Sequence, residues 1–118
     1  MIIRENQQQA FAVELQNKFE DKMVIHLRKG FAEEVEQWEE DDLREFIRDG
    51  MDKAFSYDIT IEADVARFIE YMVCYGEGFD HNENLAWFQP VLNSEKLNGT
   101  QKMDAVDRLN YIALNSED

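Results

Sequence analysis

Basic side chains are scarce in this sequence. Twelve Lys and Arg stand against 26 Asp and Glu, a formal net charge of −14 over 118 residues. A surface of that sign repels nucleic acid and anionic membrane, and it attracts basic partners. Cysteine occurs once, as Cys74, which excludes an intrachain disulfide and fits a reducing compartment. One proline and five glycines are too few for a turn-rich β-sandwich. No run approaches the ~18–20 apolar residues that span a bilayer. The start, Met1-Ile2-Ile3-Arg4-Glu5-Asn6, turns polar at once and has no apolar segment of a secretory signal, so the expected location is the cytoplasm. There is no Gly-rich phosphate loop, no internal repeat and no period-two strand pattern of useful length.

What remains is enough for a core. The hydrophobic fraction is 44 %, with eight Phe, two Trp and four Tyr to bury, which argues against disorder despite the charge. Length predicts a single domain covering residues 1–118. Hydrophobic spacing predicts an all-α fold, a single compact domain of five to six helices around a central helix near residues 61–75.

The first helix is expected from about Glu5 to Lys29. Phe11, Leu15, Phe19, Met23 and Leu27 recur every four residues as a slowly drifting stripe, and Gly30 is its stop. Ala32–Glu40 reads as one or two amphipathic turns docking through Val35 and Trp38. Asp41 or Asp42 is expected to cap a helix from Leu43 to about Tyr57, with Leu43, Phe46, Ile47, Gly50, Met51, Ala54 and Phe55 on one half. Gly50 and Ala54, four apart on that face, suggest a closely crossing helix. Thr60 is expected to cap Ile61–Tyr75, where Ile61, Val65, Phe68, Ile69, Met72, Val73 and Gly76 fill one face and Tyr71 and Tyr75 widen it. Only Ala63, Arg67, Glu70 and Cys74 are left opposite, the pattern of a helix covered by several neighbours. Gly76 and Gly78 end it. Leu85–Leu92, with Pro90, is short or kinked. After the Asn98-Gly99 turn, Thr100 is expected to cap a last helix to about Leu114, with Met103, Val106, Leu109, Ile112 and Ala113 inward.

Chemistry-bearing motifs are few. Asp80-His81-Asn82-Glu83-Asn84 begins like an EF-hand loop, but Leu85 stands where the sharp-turn Gly belongs and Val91 where the bidentate Glu belongs, so no calcium site is expected. His26 and His81 have no His or Cys at metal-ligand spacing. His26 is expected to be half-buried and hydrogen-bonded, and Cys74 a structural thiol. The chain is therefore expected to have no catalytic, cofactor-binding or metal residues and not to be an enzyme.

Two features suggest a protein partner. From Glu33 to Glu45 there are eight acids and one base, Arg44, around Trp38. That run is either a solvated face with helix-capping acids or a docking surface for a basic partner with Trp38 as an aromatic anchor. From Phe68 to Glu95 there is no Lys or Arg, and within that stretch Trp87 and Phe88 are adjacent. Neighbours on a helix diverge by about 100°, so one of the two can be an exposed anchor unless a kinked piece buries both. The candidate partner-binding residues are Glu36, Trp38, Glu39, Glu40, Trp87 and Phe88.

A further pattern runs from His26 onward. It comprises His26-Leu27-Arg28 with Phe31, Leu43-Arg44 with Ile47, Gly50-Met51 with Ala54, and Tyr57 with Ile59. It continues through Asp64-Val65, Arg67-Phe68, Met72, Gly76, Phe79-Asp80, Leu85 with Trp87, Leu92 and Met103-Asp104. In this series the chain resembles small, mostly uncharacterised bacterial proteins encoded beside type VI secretion spike and effector genes. The pattern there has Pro after Phe31, where this chain has Ala32. The resemblance implies an effector, an immunity protein, or an adaptor or co-chaperone that loads an effector. With no catalytic motif present, a cytoplasmic adaptor or co-chaperone for a type VI secretion effector is the expected role. An acidic immunity protein neutralising a basic, nuclease-type toxin is the alternative.

Overall fold

The computed structural model describes the backbone of residues 2–115 and the side chains of residues 14–115 other than Asn84. Every regular element among them is helical, as the hydrophobic spacing predicts. In order they are α1 (Ile2–Gly30), α2 (Ala32–Val35), α3 (Glu40–Ser56), α4 (Glu62–Tyr75), 3-10 turns at Phe79–His81 and Glu83–Leu85, α5 (Phe88–Leu92) and α6 (Gly99–Asn115). No helix among the described residues is long and apolar enough to cross a membrane. The chain falls into two compact units, residues 1–48 and 49–118, and the division lies inside α3.

In the first unit, Phe19, Met23, Val24 and Leu27 of α1 are buried, as are Val35 of α2 and Leu43 and Ile47 of α3. The expected stripe of α1 holds only in part. Leu15 is exposed, and the side chain of Phe11 lies outside the described residues. His26 is exposed, not half-buried, with its ring centroid 5.9 Å from that of Phe31. The helix start at α3 also corrects the sequence reading. The Leu43 N–H donates to the Glu39 carbonyl, so α3 begins at Glu40, and Asp41 and Asp42 sit in its first turn instead of at its cap. There their carboxylates still complement the positive end of the helix dipole.

α4 is the centre of the second unit. Val65, Phe68, Ile69 and Met72 are buried along it, and α3 passes it where Gly50 leaves room. A Cβ on Gly50 would lie 2.7 Å from Ile69 Cγ1 and 3.0 Å from Met72 Sδ. The crossing expected from Gly50 is therefore present. α6 lies beside α4 and runs parallel to it. Asp64 accepts a hydrogen bond from the Thr100 hydroxyl, Arg67 donates to Asp104 and Asp107, Tyr71 donates to Asp107, and Tyr75 donates to Asn110. Each step along α4 meets a matching step along α6.

The turns of this unit are set by local chemistry. α3 ends in a Schellman motif. The N–H of Asp58 donates to the Phe55 carbonyl and that of Ile59 to the Ala54 carbonyl, Asp58 takes φ 63°, and Ile59 is buried. Lys102, itself buried, reaches across from α6 and donates to the Tyr57 carbonyl at 2.7 Å. Neither predicted threonine cap is used. Ile61 precedes α4 without a side-chain cap, and Thr60 is exposed. At α6 the cap is Asn98, whose Oδ1 accepts from the Gln101 N–H at 2.8 Å while Gln101 Oε1 accepts from the Asn98 N–H at 2.9 Å. This is a reciprocal capping box, and it moves the helix start one residue upstream of Thr100. Pro90 lies in the first turn of α5, where a missing N–H costs no helical hydrogen bond. In this unit three positions assigned to buried faces are exposed, Ile61 at 59 %, Ile112 at 52 % and Gly76.

Candidate functional site

The acidic segment is built around Arg28. Its guanidinium donates to the Val35 carbonyl and to the Trp38 carbonyl, both at 2.6 Å, and so holds the turn between α2 and α3 against the end of α1. The Val35 carbonyl also accepts from the Trp38 N–H at 3.0 Å, and these carbonyls lie at a chain turn where a cation serves them well. Trp38 is half-buried, with its ring edge-on to Phe46 at a centroid distance of 4.9 Å. It is neither a core residue nor a free one. It is a platform fixed from below with part of its surface open.

Around it Glu33, Glu34, Glu36, Glu39, Glu40, Asp41, Asp42 and Glu45 are all exposed. Among the described residues only Glu40 of these eight forms an ion pair, with Arg44 at 3.1 Å. Arg44 is occupied further by Glu20 and Asp21, each at 2.8 Å, and Arg48 also meets Glu20 at 2.8 Å. The hydrogen bonds it donates to Glu20, then to Asp21 and Glu40, push the Arg44 guanidinium further above its already high range. The one base within the acidic run is thus committed to three carboxylates, so the run keeps its negative field. Glu20 is buried and escaped the sequence reading, because its cations lie more than twenty residues away.

Trp87 and Phe88 part company. Phe88, expected among the partner-binding residues, is fully buried and is corrected to a core position. It meets Phe79 at 5.1 Å, Tyr71 at 5.6 Å and Tyr75 at 6.3 Å. Trp87 is half-buried, its ring 3.9 Å from that of Phe88, so it covers the aromatic cluster and leaves one side outward.

The polar stretch after α4 is not a simple loop. Asp80 is 2 % exposed, and its carboxylate accepts from the Tyr57 hydroxyl at 2.6 Å and from Lys53 Nζ at 3.5 Å. Burial first, and then the hydrogen bond to Asp80, push the Tyr57 phenol well above its usual range. A second network joins Arg67 to Asp64, Asp107 and Asp104. Burial pulls that guanidinium down, but the three hydrogen bonds outweigh it and the net shift is upward. No buried side-chain nitrogen or oxygen among the described residues lacks a partner. No group of three or more His, Cys, Asp or Glu among them is arranged to hold a metal ion. Cys74, read as a structural thiol, is exposed on α4.

No protein-family model, no curated protein and no solved structure matches this chain.

Proposed function

We propose that this chain is a non-catalytic protein-binding module that receives a basic partner surface on the segment 33–45, with Trp38 as its anchor. The observation that carries the reading is the combination of seven exposed carboxylates that form no ion pair among the described residues with a half-open Trp38 held in place by Arg28. Helix capping needs only the acids of the first turns. The rest supply a field that steers a cationic partner, while an aromatic platform slows its departure. Trp87 offers a second half-open ring. The resemblance to type VI secretion neighbours supports a cytoplasmic adaptor or co-chaperone for an effector. The net charge of −14 favours equally an immunity protein that blocks a basic toxin, and the identity of the captured partner separates the two.

The surface itself is tested by charge reversal. Glu36 and Glu39 are the cleanest positions, because Asp41 and Asp42 lie in the first turn of α3 and Glu40 is paired with Arg44. Glu36→Lys with Glu39→Lys is expected to slow association with a partner recovered by affinity capture. The difference should shrink as salt rises to physiological strength, where the screening length is ~8 Å. Trp38→Ala is expected to speed dissociation. An unchanged association rate at low salt in the double reversal refutes the acidic face as the docking surface.

A further inference from the structure

Asn93, Gln89, Asp80 and His81 form a chain of hydrogen bonds whose polarity is fixed from both ends. Asn93 Nδ2 donates to the Gln89 backbone carbonyl at 3.0 Å, which orients the Asn93 amide, and the same nitrogen meets Gln89 Oε1 at 3.3 Å. Gln89 is therefore set with Oε1 toward Asn93 and Nε2 away from it. Nε2 donates to the backbone carbonyl of Asp80, an acceptor that cannot invert. The same Nε2 stands 3.0 Å from His81 Nδ1. A donor facing Nδ1 needs a bare lone pair there, so the neutral imidazole carries its proton on Nε2, 3.3 Å from Asp80 Oδ2.

We propose that the His81–Gln89 contact is a pH-gated link between the 3-10 turn Phe79–His81 and α5. Protonating His81 puts an N–H on Nδ1 against the N–H of Gln89, and the contact opens. Gln89 cannot rescue it by turning its amide over. That would set Oε1 against the Asp80 carbonyl and Nε2 against the Asn93 amide, losing two contacts to restore one. The imidazolium keeps its Nε2–H toward the Asp80 carboxylate, 3.3 Å away.

The other charged and titratable groups of the neighbouring elements are already engaged or face water. Lys53 and Tyr57 of α3 serve Asp80. Tyr71 and Tyr75 of α4 donate to Asp107 and Asn110. Glu77 and Glu83 flank the turn and are exposed, and α5 carries no titratable side chain. The His81 side chain is 72 % exposed, so its proton exchanges directly with solvent. Acidification thus opens one of the two contacts that Gln89 Nε2 makes with the turn, while its bond to the Asp80 carbonyl and the aromatic cluster beneath stay in place.

The test is a proton–nitrogen correlation experiment on the full chain, titrated from about pH 8 to about pH 5, the range in which histidine changes charge. The Gln89 side-chain NH₂ signals are expected to move with the same midpoint as the His81 ring signals. In His81→Ala, a change at an exposed position whose fold the backbone amides report, those NH₂ signals are expected to stay still. Gln89 signals that do not follow His81 in the parent chain overturn the proposal. So do Gln89 signals that move as far in His81→Ala as in the parent, since another group is then responsible.

Discussion

Replacing Asp80 with Ala leaves the Tyr57 hydroxyl without its acceptor and takes from Lys53 its ion-pair partner at 3.5 Å. A fully buried donor left unmatched costs about 1–3 kcal/mol, and because Tyr57 is half-buried a loss of about 1 kcal/mol is expected in urea denaturation of Asp80→Ala. Phe68→Ala, at a fully buried site in contact with Phe79 and Tyr57, is expected to cost about 3–5 kcal/mol in the same measurement. A result in which Asp80→Ala is silent would remove its carboxylate from the core. The sequence shows Phe68 plainly, because an apolar residue at helical spacing can only face inward or be wasted. It hides Asp80, Asp64, Glu20 and Lys102, all buried. A polar residue on a helical wheel reads as solvated, and a partner that makes its burial tolerable lies on another element at an unrelated sequence distance, except that Asp64 also meets Arg67 three residues on in its own helix. Thr100, read as a cap, is the donor to Asp64.

At the level of helices, two identical substitutions are expected to act in opposite directions. Gly50→Ala places a Cβ 2.7 Å from Ile69 Cγ1, an atom near the backbone of α4 that cannot swing away. Overpacking of this kind costs about 1–3 kcal/mol, against a gain in helix propensity of about 1 kcal/mol. A net loss of stability is expected. Gly30→Ala, at the last residue of α1 with nothing within 4 Å, meets no such obstacle and is expected to be neutral or stabilising. Thermal melts of both variants check the pair. The Gly50 crossing was legible because a small residue in the middle of an apolar face has few other uses. Helix starts were less so. Ile61 precedes α4 with no side-chain cap, and Asn98 outcompetes Thr100 because Gln101 stands three residues on to complete the box.

For the whole molecule, 26 acids and 12 bases set two responses that diverge. Self-repulsion at a net charge of −14 favours expansion, so raising salt from about 0.01 M to about 0.15 M is expected to raise the melting temperature. The Arg67 network opposes this only weakly, since its closest carboxylate, Asp64, is buried and poorly screened. The same rise in salt slows capture of a basic partner, so stability and association move in opposite directions. Alkali gives a second response. Burial, with the hydrogen bonds to Asp80 and Asp107, raises the phenols of Tyr57 and Tyr71 above their usual values. A group raised on folding contributes stability that is complete below its unfolded value, near pH ~10, and is lost as pH climbs toward the folded value. Tyrosinate absorbance is expected to appear late for these two side chains, together with loss of helical circular dichroism.

The capping box at Asn98 bears on how the protein ages. An Asn followed by Gly is the sequence most prone to lose its amide, because the Gly99 nitrogen attacks the Asn98 side-chain carbonyl to close a succinimide ring. In the folded chain that carbonyl is held to the Gln101 N–H, and Gly99 already begins a helix pressed against the Asp58 carbonyl. Ring closure must therefore wait for the first turn of α6 to fray. Opening of the ring to aspartate would leave a residue that caps a helix as well as asparagine does. Opening to isoaspartate would insert an extra backbone carbon at the cap, so fraying of a single helical turn gates this route of ageing.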